Sequence, residues 1–226
     1  MKKAVVIIST FAASTMLLSS FDSGDSVKTT NSNEPSSNEV TIGAQVWMTK
    51  NLDVIRFRNG DPIREAKTSE EWEAARRNEQ PAWCNYENDS ANGIKYGKLY
   101  NWYAVNDVRG LAPEGYHVPS DAEWKTLRDY LGGASLAGDK MKSTSGWKDG
   151  GNGTNSSGFS GLPGGYRSWT GAFVLNGANG CWWSSTVSPA GSAWYLELYY
   201  SSGLAARNYE VNGMERGGFS VRCLRN

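Results

Sequence analysis

SGWKDGGNGTNSSGFSGLPGGYRSWTGAFVLNGANGCWWSST, residues 145–186, is too rich in Gly, Asn and Ser to be one regular element, yet Trp147, Phe159, Tyr166, Trp169, Phe173, Trp182 and Trp183 recur through it. A structureless loop of this length has no place in a compact domain. Aromatic side chains that each find a core contact pin such a chain into one path. Residues 143–193 are therefore expected to form a long irregular loop region with short strands, held by its own aromatics. This stretch sets the fold class: α+β, with two helices packed on small antiparallel sheets.

On its C-terminal side, alternation returns. Trp194, Leu196, Leu198 and Tyr200 share one face of a strand, and a return strand follows Gly203. At the end of the chain Phe219, Val221 and Cys223 face one way and Ser220, Arg222 and Leu224 the other. On its N-terminal side, Ser120 with Glu123 forms a capping box after Pro119. Trp124, Leu127 and Leu131 then keep helical spacing until Gly132-Gly133. An earlier helix starts at Thr68 with Glu71, runs through Trp72, Ala75 and Arg76, and stops before Pro81. Between the two helices, residues 96–105 are dense in aromatics and short enough to be helix or strand. Residues 40–48 alternate around Gly43, and residues 52–57 lead into Asn59-Gly60, a hairpin signal.

The 226 residues contain 10 Trp, 11 Tyr and 26 Gly against a hydrophobic fraction of 39%, which suits short strands and long turns better than a helical bundle. Lys plus Arg and Asp plus Glu number 23 each, so the field that draws phosphate backbones or anionic lipid is missing and nucleic acid is no expected partner. Lys2 and Lys3 precede an apolar run over residues 4–18, too short for a bilayer span and followed by the small residues Ser19 and Ser20. Residues 1–20 are read as a signal peptide, the alternative being an uncleaved anchor and hence the one route to a membrane. A lipoprotein would need a cysteine where Phe21 stands. Residues 21–38 are polar and are expected to be a disordered linker, leaving 39–226 as a single domain of an exported protein, secreted, periplasmic or at the cell surface.

In an exported chain, Cys84, Cys181 and Cys223 suggest one disulfide and one free thiol, with the pairing open. A single histidine argues against zinc. That residue, His117, has no nucleophile motif around it and reads as a structural neighbour of the Ser120 cap. Asp149, Asn152 and Asn155 offer side-chain oxygens in a flexible loop, so calcium is a possible cofactor, although these residue types also make side-chain turns with their own backbone. No other cofactor is expected. The glycines of residues 158–167 lack the Lys-Ser or Lys-Thr of a phosphate loop and read as positions for positive φ.

Sugar rings stack on exposed aromatics while polar side chains bond at the rim. Trp147, Trp169, Trp182, Trp183 and Trp194 supply the aromatics. Adjacent Trp182 and Trp183 point to opposite faces of a strand, so at most one of them is open. The expected ligand-binding set is Trp169, Trp147 and Trp183, with Arg167 and Asn155 at the rim.

Six ordered blocks, VTIGAQVWMTKNLDV, YGKLYNWYAVND, PEGYHVPSDAEWKTL, NSSGFSGLPGGYR, CWWSST and GGFSVRCLRN, resemble the Fibrobacter succinogenes major paralogous domain from about residue 40 to the end. The resemblance implies a surface or secreted bacterial domain whose fold is similar to the C-type lectin-like and formylglycine-generating-enzyme-like group. It carries no settled activity. Where the family often has Cys-Pro before Gly-Trp-His, this chain has Ala112-Pro113-Glu114-Gly115-Tyr116-His117, and Cys181 stands where the family does not usually place a thiol. No disulfide pairing is transferred. The enzyme group implied by the resemblance works through cysteines, but Cys223 reads as buried beside Phe219 and Val221, so no enzyme is expected and an oxidoreductase is the weakest alternative. The expected function is recognition of a glycan or an extracellular protein through residues 143–193. The alternative is a structural or adhesive module without a small ligand.

Overall fold

Val40 and Trp47 pair across a ribbon of two strands, β1 (Glu39–Ile42) and β2 (Gln45–Met48), that turns at Gly43 with φ of 63°. The computed structural model describes residues 38–188, 192–209 and 217–226, so the expected signal peptide and nearly all of the linker lie outside the described residues. Among them follow β3 (Arg64–Glu65), α1 (Ser69–Arg77), β4 (Ala82–Cys84), α2 (Ser90–Tyr96), β5 (Leu99–Tyr100) and α3 (Trp102–Val105). Next come β6 (Tyr116–His117), α4 (Asp121–Tyr130), α5 (Ala134–Met141), β7 (Tyr166–Arg167) and β8 (Phe173–Val174). The chain closes with β9 (Asn179–Val187), β10 (Ala193–Tyr199), β11 (Ala205–Tyr209) and β12 (Leu224–Arg225).

Both expected helices form, and both begin with reciprocal capping boxes, Thr68 with Glu71 and Ser120 with Glu123. Three more helices depart from the two-helix expectation. Residues 96–105 divide between the end of α2, β5 and α3, and the last is started by Asn101, whose side chain caps Ala104 N–H. α5 follows the Gly-Gly pair that reads as a stop, because Gly133 at φ 92° ends one helix and caps the next. Its Gly138 is there for packing: a Cβ would lie 2.5 Å from the Gly203 carbonyl oxygen, which accepts the Gly138 N–H at 2.8 Å. Asn59-Gly60 makes its tight turn, with Phe57 N–H on the Asp61 carbonyl, but the flanks carry only one bridge and no hairpin strands develop.

The sheets are small, as expected. β11-β10-β9 is antiparallel, β1-β2-β12-β6 joins residues 39–48 to residues 224–225, β3-β4-β5 contains one parallel pair, and β7 pairs with β8. Trp182 and Trp183 do leave β9 on opposite sides, yet both sides are core. Trp182 packs with Trp47, Trp124, Phe159 and Leu198, and Trp183 with Trp102, Tyr100, Phe219 and Val221. The expected place of Trp183 in an open ligand-binding set is corrected for this reason: α4 and α5 pack on the Trp182 side of the sheet, and Trp102 of α3 with Tyr100, Phe219 and Val221 closes the Trp183 side.

That last segment is the keystone. Gly218 exchanges two backbone hydrogen bonds with Arg167, Phe219 two with Tyr100, and Ser220 bonds both Cys181 and Trp183. Val221 and Cys223 then accept from Leu52 and Met48, and Leu224 pairs with both Trp47 and His117. One strand thus sews four sheets together, which is why every residue from Gly217 to Leu224 is buried. The cysteines bring a second correction. Cys84, Cys181 and Cys223 are all buried free thiols, because each fills its own place in the core and none meets another in a bridge.

Candidate functional site

Asn51, between β2 and the first turn, is a polar hub. Its Oδ1 accepts from Trp182 Nε1 at 2.8 Å and from Arg222 Nε and Nη2 at 3.0 and 2.8 Å. Its Nδ2 donates to the Tyr96 carbonyl at 2.7 Å. One side chain therefore joins the 49–53 loop, the end of α2, β9 and the C-terminal keystone. Arg222 also donates through Nη1 to the Met48 and Phe159 carbonyls, and its guanidinium lies 4.3 Å from the Phe159 ring. It is fully buried and makes no ion pair among the described residues. Loss of solvation pulls its pKa from the usual arginine range down to about 9.

These groups line a cavity of about 400 Å³, with Lys50, Lys95, Ser160 and Leu162 on its walls. An adjoining hollow of about 220 Å³ shares Lys50, Asn51 and Asp53. The α2 wall comes close because Gly97 has φ of 76° and no side chain. A Cβ there would stand 2.7 Å from that of Asn51. The opposite wall depends on a strained residue, Ser160, at φ 55°. Asn155 holds it there, accepting the Ser160 N–H at 2.8 Å and donating to its Oγ at 3.0 Å.

The expected site residues are not gathered into one face. Trp147 is buried, with Nε1 on Ser143 and the Gly161 carbonyl, and Trp183 is buried with Nε1 on the Tyr100 carbonyl at 2.7 Å. Arg167 is 1% exposed. It donates to the carbonyls of Ala66, Lys67, Thr68 and Gly171 and lies between the rings of Trp72 and Phe173. A guanidinium clamped in this way, buried with four of its five N–H groups on backbone carbonyls, ties α1 to the β7–β8 turn and is closed to a ligand. Trp169 alone of the set is open, at 47%. Trp194 is half-buried under Arg207, 3.6 Å from its ring, and beside Tyr209.

The calcium candidates are also turn residues. Asn152 Oδ1 takes the Trp147 N–H at 3.0 Å, Asn155 holds Ser160, and Asp149 is exposed at φ 49°. Among the described residues no three His, Cys, Asp or Glu side chains form a group that could hold a metal ion. His117 has both ring nitrogens engaged, with Glu123 at 2.9 Å and Asn226 at 2.8 Å, fastening the chain end to the α4 cap. Burial works against ionisation of Glu123, but hydrogen bonds from Ser120 and His117 prevail and hold its carboxyl below the usual glutamate range.

Sequence reasoning passed over Lys50, Asn51, Lys95 and Arg222. The available signal was Arg222 itself, a charged residue alternating with Ser220 and Leu224 in an otherwise apolar ending. The family model described as Fibrobacter succinogenes major domain matches residues 40–225. No curated protein and no solved structure matches the chain.

Proposed function

Because the chain belongs to the Fibrobacter succinogenes major domain family, and that membership brings no activity with it, we propose from the site itself that this is an exported binding module without catalytic function. Its ligand is a glycan of the cell surface or surrounding medium, seated in the cavity floored by Asn51 and Arg222. The C-type lectin-like assignment of the fold is part of the same proposal. The carrying observation is the cavity's make-up: hydrogen-bonding groups of Asn51, Thr49 and Ser160 beside apolar Leu162 and Ile94. Its volume lies within the roughly 300–1,000 Å³ of small-molecule sites, and such mixed linings suit sugars. The site draws Ser160 and Leu162 from the 143–193 region and the rest from outside it.

One observation favours the alternative of a structural or adhesive module. Trp147 and Trp183, expected to join Trp169 in an aromatic platform, are core residues. A glycan array probed with the domain and with Leu162→Glu, which places a charged chain in the cavity, separates the two readings. The binding module predicts discrete array hits that Leu162→Glu removes. An empty array supports the alternative, and hits that the variant keeps place the binding outside this cavity.

A further inference from the structure

Arg222 is an unusual floor for a cavity. A guanidinium has five N–H donors, and four hydrogen bonds engage this one. That leaves one N–H on Nη2 without a protein acceptor among the described residues. All of its partners are neutral, two backbone carbonyls and an amide oxygen. The charge is thus solvated but not neutralised. Removing an ion from water is costly unless an opposite charge is near, and no carboxylate appears among the influences on Arg222.

The walls add to the same sign. Lys50 and Lys95 line the cavity from two different elements and are solvent-accessible, while the single acid, Asp53, is exposed at the edge. Three cations against one carboxylate converge here in a chain whose formal net charge is zero. Low-dielectric walls focus such a field and raise the local concentration of counter-charge. Neutral sugars would gain nothing from this arrangement, whereas an oxyanion gains charge-assisted hydrogen bonds, which are about twice as strong as neutral ones.

We propose that the cavity selects ligands bearing an oxyanion, a carboxylate or sulfate on a sugar ring, held by the exposed Lys50 and Lys95 in the field of the buried Arg222 charge behind them. This rests on the binding reading above and names the ligand class of that same site. The ring itself lies toward Leu162 and Ile94, where its C–H face meets apolar surface.

The test is an amide NMR titration of the domain with sodium sulfate at constant ionic strength, then with methyl glucuronide and methyl glucoside. The expected result is saturable shifts confined to residues around Lys50, Lys95 and Gly97 for sulfate and glucuronide. Affinity for both should fall at least ~10-fold in the Lys50→Gln/Lys95→Gln variant, about 1.4 kcal/mol. Glucoside binding as tight as glucuronide overturns the oxyanion inference and leaves the glycan module standing. Shifts that do not saturate, or that persist in the double variant, overturn the inference, and the array then decides the binding reading independently.

Discussion

Asn51 and Arg222, 171 positions apart, meet in a fork in which a single amide oxygen receives two guanidinium N–H groups at 3.0 and 2.8 Å. The bond fixes the C-terminal keystone to the first loop, so the cavity floor and the fold's closure are one structure. Replacing Asn51 with Ala strips the acceptor from a buried charge and from Trp182 Nε1 together. Unpaired buried groups cost about 1–3 kcal/mol each, and more for charged ones. Asn51→Ala is therefore expected to lose ~3–5 kcal/mol in urea denaturation, where an exposed loop Asn would lose under ~0.5.

Arg167 and Trp169 separate core from surface within two positions. Arg167→Met abandons four carbonyl oxygens that its N–H groups satisfy, and a loss of at least ~3 kcal/mol is expected. Trp169→Ala, at an open turn, should change stability by under ~0.5 kcal/mol. Equilibrium unfolding of the pair checks both.

Much of this architecture is legible in the sequence. Reciprocal caps at Thr68 and Ser120 announce α1 and α4 because the signal is local, spans from the cap to the third helical residue and is tied to one hydrogen-bond pattern. The opposite facing of Trp182 and Trp183 follows from strand geometry. Their joint burial does not, since it requires knowing that α3 and the returning Phe219 and Val221 close the second side of β9. The cavity is illegible for the same reason: Lys50, Lys95 and Arg222 come from three distant segments, and only the fold brings them together.

The cysteines give a pH prediction. Burial pushes Cys84 from its ordinary value of 9.0 to about 11 and Cys223 to about 12. The native protein then keeps protons that the unfolded chain releases, so this contribution to stability is complete below pH 9 and is lost as pH rises through 11 and 12. At pH ~10 the loss is about 1 kcal/mol per thiol. Cys84→Ala should flatten that fall relative to the parent, and the opposing effect of Arg222 cancels in the comparison. The same thiols should be unreactive to Ellman's reagent in the native state, and all three titratable after denaturation without reductant; one thiol would mean a disulfide.

Gly138 makes an inverted helix prediction. Gly to Ala inside a helix normally gains about 1 kcal/mol. Here the new methyl meets the Gly203 oxygen at 2.5 Å, and overpacking against backbone costs ~1–3 kcal/mol. Gly138→Ala should therefore lower the thermal midpoint, and a raised midpoint would show that α5 and the 203–204 turn are not in contact.

The placement of the ligand in the Asn51–Arg222 cavity, away from the exposed tryptophan, is tested most directly by one paired affinity measurement. An array-selected glycan is titrated against the Lys50→Gln/Lys95→Gln variant and against Trp169→Ala. Binding should weaken at least ~10-fold in the first and less than ~2-fold in the second; the reverse order would contradict the account.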